Sequence, residues 1–181
     1  MGDLQPSALT AYIEASRPVG VLPQDSHHHA LAAQVLHNLQ YQHDWTDLRI
    51  HTDSSHSARP LLKPLVSGLP PHRIYVHPDE QIEMLKQSVQ EKDVPSEREW
   101  VLPTHLRETW SLRKFAELFD GIDPVPPAEN QASEEKPPFP TAKGGIGSRR
   151  GGKRLMLATV GDDSTVVYYV VHDGIVKPRQ N

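Results

Sequence analysis

Residues 166–171 read Val166-Val167-Tyr168-Tyr169-Val170-Val171, where every position is β-branched or aromatic and none is charged or a proline. A strand with one wet face alternates apolar and polar residues. This one does not, so both of its faces are expected to be covered. Just ahead of it runs Leu155-Met156-Leu157-Ala158-Thr159-Val160, nearly as apolar, and Gly161-Asp162-Asp163-Ser164 between the two has the residues of a tight hairpin turn. Two readings of the ribbon stay open. It is a central core strand, or it is a strand whose outer face or edge docks onto another chain. An exposed edge of this composition would template aggregation, so it is expected to be paired or buried in either case.

Working outward, residues 121–152 hold six prolines and six glycines with hardly any apolar residue, and read as a disordered or looping insertion. Ahead of it, Ser111 is placed as the N-cap of a helix whose Leu112, Phe115, Ala116 and Phe119 share one face, with Gly121 as its C-terminal stop. Trp100-Val101-Leu102 reads as a brief extended piece. Pro78 opens a second helix, with Asp79 and Glu80 in its first turn, a thin stripe of Ile82, Leu85 and Val89, and Pro95 as its stop. Ile74-Tyr75-Val76 reads as a strand. Residues 61–69 are apolar but lie among Pro60, Pro64 and Pro70, which confines them to an edge segment or a bulged strand. Leu48 and Ile50 alternate with Arg49 and His51 as a half-buried strand after a turn at 44–47. Residues 26–42 carry Leu31, Val35, Leu36 and Leu39 at helical spacing, with Asp25 or Ser26 as N-cap. Residues 1–25 read as a poorly ordered lead-in, with at most one helical turn around Leu9, Tyr12 and Ile13. The expected organisation is one domain over 26–181, interrupted at 121–152. The fold class is α/β (α+β): a mixed β-sheet with flanking helices.

Composition limits the function. With 181 residues the chain has the length of one domain, and 36% hydrophobic residues leave room for stretches outside any core. The absence of cysteine excludes a disulfide scaffold, a thiolate metal site and a cysteine nucleophile. No apolar run approaches a bilayer span and no secretory leader is read at the start, so no membrane insertion is expected. A net charge of −4 argues against a globally basic nucleic-acid binder.

The stretch Ser164-Thr165-Val166-Val167-Tyr168-Tyr169, followed by Asp173-Gly174 and Pro178, resembles the small accessory subunit of the eukaryotic tRNA-splicing endonuclease, the Sen fifteen type. The segment Glu99-Trp100-Val101-Leu102-Pro103 and the helix around Ser111 and Phe119 are similar to its fungal branch. The resemblance runs over residues 30–52, 72–120 and 153–181. It implies the C-terminal α/β domain of tRNA-intron endonucleases and a non-catalytic structural subunit of a heterotetramer. It also implies subunit partners, one catalytic and one a second structural subunit, with precursor tRNA contacted weakly or indirectly. In that family a late strand pairs with a neighbouring subunit, which here corresponds to Val166, Val167, Tyr168, Tyr169, Val170 and Val171. An acidic loop docks on another subunit, which here corresponds to Asp162 and Asp163, although those two also explain a plain hairpin turn. A homodimer of the isolated chain is a further expectation. The resemblance implies nuclear residence, with the cytosolic face of mitochondria as the alternative.

Metal-independent cleavage of RNA needs a base, an acid and a cation for the phosphorane charge. The resemblance implies a Tyr, His and Lys set in catalytic subunits, within a Tyr-Arg-Gly-Lys-Gly-Phe-Gly pattern, and no such pattern occurs here. Tyr168, Tyr169, His172 and Lys177 lie close in sequence, but Tyr168 and Tyr169 point to opposite faces of a strand. His27-His28-His29 fan around a helix start, and His51 and His56 only flank a loop, so neither a metal nor any other cofactor is expected. His105 is read as capping or packing beside the Ser111 helix. Lys143, Arg149, Arg150, Lys153 and Arg154 form the basic run that could touch phosphate, or could simply be solvated. Two rival functions remain: a stand-alone RNA-processing enzyme of the same fold, and a nucleic-acid-binding module using residues 143–154.

Overall fold

In the computed structural model, which describes residues 6–16, 23–54, 59–76, 78–90, 94–127 and 152–174, the apolar ribbon forms the last strand of a five-stranded sheet. The elements run α1 (Ala8–Ala15), α2 (Pro23–Gln42), β1 (Thr46–Asp53), β2 (Pro60–Leu69), α3 (Pro78–Lys86), β3 (Glu99–His105), α4 (Leu112–Asp120), β4 (Arg154–Val160) and β5 (Val166–His172). Strand order in space follows strand order in sequence. The β1/β2, β2/β3 and β4/β5 pairs are antiparallel and β3/β4 is parallel, so the sheet is mixed, as expected.

Period-two alternation sends each strand's residues to two cores. On one face Leu31, Val35 and Leu39 of α2 pack with Trp45 against Val66, Val101, Ala158 and Val160. On the other, Leu118 and Phe119 of α4 and Ile122 pack against Leu65, Trp100, Leu102 and Leu155. β3 lies at the centre with all but its last residue buried, so the short Trp100-Val101-Leu102 piece is the middle of the sheet.

Helix α4 starts where its sequence says: the Ser111 hydroxyl accepts from the backbone N–H of Lys114 at 3.3 Å. It also ends where expected, at Gly121. Gly121 sits at φ −82 rather than in the left-handed region, and what favours glycine there is space, because an added Cβ would stand 3.0 Å from Leu61 Cδ2. The β4–β5 turn takes its positive φ (65°) at Ser164. Gly161 is required by a close approach instead, since a Cβ there would lie 2.8 Å from Asp163 Oδ1.

Several expectations are corrected. Residues 74–76 form no ladder: β2 pairs directly with β3, and the excursion between them turns back so that buried Arg73 meets Glu97. Of the two alternatives for residues 61–69 the edge is corrected, since β2 is an interior strand, and the bulged strand holds: the β1/β2 register shifts between the pairs His51/Leu65 and Asp53/Pro60, which accommodates its prolines. The thin stripe of α3 faces outward, with Ile82 and Leu85 exposed and Met84 buried instead. Helix α2 begins at Pro23, which places residues 25 and 26 inside it rather than at its cap. The lead-in carries α1, a full two turns capped by Ser7, whose side chain accepts from the Thr10 N–H at 3.1 Å. The start of the expected insertion belongs to the fold: Ile122 and Pro126 are buried, and Asp123 C=O accepts from Trp100 Nε1 at 2.8 Å. Residues 128–151 lie outside the described residues.

Candidate functional site

The sheet has two edges, and they differ in kind. β1 carries Asp47, Arg49 and Asp53, has register irregularities towards both ends, and holds Asp47 at φ 52. Charges, bulges and kinks of this sort blunt an edge against pairing with other chains. β5 is the opposite. It pairs with β4 over seven consecutive residues without a register shift, and its residues 166–171 bear no charge. The central-strand reading of the ribbon is therefore corrected, because within this chain β5 is an edge strand.

The ladder also says which backbone groups face β4 and which face away from it. Gly161 N–H bonds Thr165 C=O at 2.8 Å and Asp173 N–H bonds Lys153 C=O at 2.8 Å. In an antiparallel pair, bonded and non-bonded residues alternate, so Val167, Tyr169 and Val171 turn their N–H and C=O groups towards β4. Val166, Tyr168, Val170 and His172 direct theirs away from the sheet.

The side chains divide by face. Val166 and Tyr168 pack towards α2, and the Tyr168 hydroxyl, held above its ordinary pKa by burial, donates to Asn38 Oδ1 at 2.6 Å. Val171 packs towards α4. Helix α4 does not extend over Val167 and Tyr169, which are 45% and 57% exposed, and on the α2 face Val170 is 38% exposed. The flat edge is thus flanked by uncovered apolar side chains on both faces. Asn38 and His43 of the α2 end, the latter's ring edge-on to Tyr168 with centroids 5.2 Å apart, belong to this surface. Neither carries a spacing signal in the sequence.

The remaining residues fall in different places. Asp162 is exposed and pairs within its own chain: Oδ2 accepts from Arg107 at 2.5 Å, and Oδ1 lies 3.3 Å from His105 Nε2. Asp163 caps its own turn, accepting from Thr165 N–H at 3.1 Å and from Thr165 Oγ1 at 2.9 Å, and the backbone bond leads in holding its carboxyl below the usual value. Lys153 Nζ donates to Phe119 C=O at 2.7 Å. Arg154 is buried in a salt bridge with Glu99, so it drops out of the expected phosphate-contacting set. Lys143, Arg149, Arg150, Lys177 and His56 lie outside the described residues. Tyr168 and Tyr169 take opposite faces, and the His172 ring stands edge-on to Tyr75 at 4.7 Å, so these three groups do not converge. Among the described residues no three His, Cys, Asp or Glu stand close enough to hold a metal ion. No described helix is long and apolar enough to cross a membrane.

The family model described as Sen15 protein matches residues 34–136 and 139–181, spanning the second half of α2, the whole sheet and the open edge. The chain belongs to the Sen15 family. A Neurospora crassa relative named as a probable tRNA-splicing endonuclease subunit, tsp-1, is 46% identical over 167 residues, covering 90% of this chain and 71% of its own. A Schizosaccharomyces pombe relative named as a probable tRNA-splicing endonuclease subunit, sen15, is 29% identical over 138 residues, covering 76% of this chain and 73% of its own.

Proposed function

We propose that this Sen15-family chain is a non-catalytic, structural subunit of the tRNA-splicing endonuclease, and that it holds a catalytic subunit by adding that subunit's strand to the outer edge of β5. The observation that carries the reading is the contrast between the two edges: one blunted, the other flat, uncharged and regular over seven residues. A strand laid along β5 would use the outward N–H and C=O groups of Val166, Tyr168 and Val170. It would also remove Val167, Tyr169 and Val170 from water. The names of the two relatives support the subunit role. The missing Tyr-Arg-Gly-Lys-Gly-Phe-Gly pattern and the divergence of Tyr168, Tyr169 and His172 support the non-catalytic part. Asp162 and Asp163 act in this reading by shaping the hairpin that presents β5, since both carboxylates are engaged within the chain.

The test is co-expression with the other subunits of a fungal tRNA-splicing endonuclease, comparing the natural chain with Val167→Asp and Tyr169→Asp. Both positions are exposed in the single chain, so the variants should fold, yet an unpaired charge in a dry strand–strand contact should abolish co-purification. The purified chain alone should not excise an intron from precursor tRNA. Normal assembly of either variant, or intron excision by the chain alone, would overturn the reading.

A further inference from the structure

Residues 26–43, most of α2 and the residue after it, contain no Asp, Glu, Lys or Arg, where the chain's 23% share of charged residues would supply about four. Water-facing surfaces ordinarily carry charge, and its depletion beside exposed aromatic side chains marks a protein contact. Part of this uncharged surface is already in such a contact. Helix α1 lies against its N-terminal part: the Tyr12 ring meets His37 with centroids 5.1 Å apart, and Ile13 and Ser16 line a small cavity with Ser26, His29 and Ala30. Among the described residues the C-terminal end has no such cover. Tyr41 is 64% exposed, and Gln40, Gln42 and His43 are exposed with it. Tyr41 stands one turn past His37, with the two ring centroids 4.6 Å apart, and one turn past Asn38, which Tyr168 of β5 reaches. The uncharged surface thus runs from the side of α2 that α1 covers onto the open strand.

We infer that the end of α2 around Tyr41 is a second contact for the subunit whose strand pairs with β5, and that the partner meets it with uncharged side chains. The inference rests on the β5 reading. Seven strand residues span about 24 Å and a sheet occupies about 10 Å, so the edge itself offers roughly 240 Å². A stable interface takes about 800 Å² from each partner. The remainder has to flank the edge, and the two flanks differ. On one face α4 carries exposed Arg113, Lys114, Glu117 and Asp120, whereas on the other the end of α2 carries no such charge. A partner charge set over Tyr41 would lose its water and find no opposite charge, so amide, hydroxyl and apolar side chains fit there. They hydrogen-bond Gln40, Gln42 and His43 and pack on the Tyr41 ring. A nucleic acid fits poorly, because residues 26–43 supply no Lys or Arg for its phosphates.

The test is a competition in cells that co-express the other subunits of a fungal tRNA-splicing endonuclease with two full-length copies of this chain, one natural and one variant, under different tags. The ratio of the two captured on a tagged catalytic subunit is read. Tyr41→Phe keeps the ring and should be captured nearly as well as the natural chain. Tyr41→Glu and Tyr41→Lys should each lose about tenfold, because either sign brings an unpaired charge into the contact. Their urea midpoints should stay near the natural one, since the side chain is exposed. Better capture with one sign of charge would mean a charged partner surface and overturn the inference. So would a loss that tracks a lowered urea midpoint, which marks a folding role. Unchanged capture of both charged variants beside a loss in Tyr169→Asp would overturn this inference and leave the β5 reading standing. Loss in both beside normal capture of Tyr169→Asp would overturn the β5 reading and leave the α2 contact. Unchanged capture with weaker retention of precursor tRNA, or with loss of self-association of the chain alone, would give this surface to RNA or to a second copy and overturn the inference.

Discussion

Tyr168 of the outermost strand donates its hydroxyl to Asn38 of α2 at 2.6 Å, and Asn38 Nδ2 donates in turn to Gln42 Oε1 at 2.7 Å. The bond ties an edge strand, otherwise held along one side only by β4, to the helix that backs the sheet. Its partial burial holds the hydroxyl above its ordinary pKa, which favours the protonated form that donates to Asn38. Strand β5 is therefore presented in a fixed position even while its outer edge is open.

Tyr168→Phe should cost about 1–3 kcal/mol. The net hydrogen bond accounts for roughly 1 of these, and the rest is the price of leaving Asn38 Oδ1 without its donor. Urea unfolding checks this as a lower midpoint with an unchanged slope. Asn38→Ala combined with Tyr168→Phe should cost less than the sum of the single variants, because both remove one interaction. Strict additivity would show that the two side chains do not act through this bond.

The buried pair Arg154–Glu99 joins β4 to β3, and Arg154 also stands 3.4 Å from Glu97 and over the Tyr75 ring at 5.5 Å. Removing one partner of a buried pair leaves an uncompensated charge and costs about 3–5 kcal/mol. Glu97 can still offset part of that here. Glu99→Gln should therefore lower stability by roughly 3 kcal/mol, and Glu99→Leu with Arg154→Met should recover most of the loss. Thermal unfolding of the three proteins decides between a required pair and a replaceable one.

Much of this architecture was legible in the residues, and the misreadings have physical causes. Ser111 announced α4 because a cap is a local device, satisfied by one hydroxyl and a neighbouring N–H. The hairpin around Gly161 was legible for the same reason. The centrality of β3 was not, because Pro103 discouraged a strand and yet sits buried in the parallel ladder opposite Ala158. Ile74-Tyr75-Val76 has strand composition, but the place beside β2 is already filled by β3. At the candidate site the ribbon itself was plain. Whether it was core or edge depended on strand order, which composition does not encode. Arg154 looked like part of a basic run until the ladder set it opposite Glu99.

A pH dependence follows from His51, whose Nε2 lies 2.8 Å from Ser67 Oγ and whose ring stands edge-on to Trp100 at 4.9 Å. Burial first, then the charges of Arg49 and Arg98, hold its pKa below the ordinary 6.5. The unfolded chain therefore takes up this proton before the folded one does. The contribution of His51 is complete above about pH 6.5 and is lost as the pH falls through the lower folded value. Unfolding free energies measured from pH 8 to pH 5 should decline in the natural protein and decline less in His51→Gln, which keeps a polar group facing Ser67. Parallel curves for the two proteins would assign the acid sensitivity to other groups.

Proline substitution separates the two sides of β5, because only residues bonded to β4 need their N–H for folding. The alternation of the ladder turns the Tyr169 N–H towards β4 and the Val170 N–H outward. Tyr169→Pro removes a ladder bond and should destabilise the chain by about 3 kcal/mol or more. Val170→Pro takes away a group that the isolated chain does not use, and proline is tolerated where the N–H of an edge strand faces out. Its urea midpoint should stay near that of the natural chain. The same substitution removes one of the outward donors and sets a ring in the path of an added strand, so association with partner subunits should fall sharply. Loss of folding in Val170→Pro would show that the register is shifted by one residue from the one described. A folded Val170→Pro that still co-purifies with its partners would mean that they reach this protein by a route other than the edge of β5.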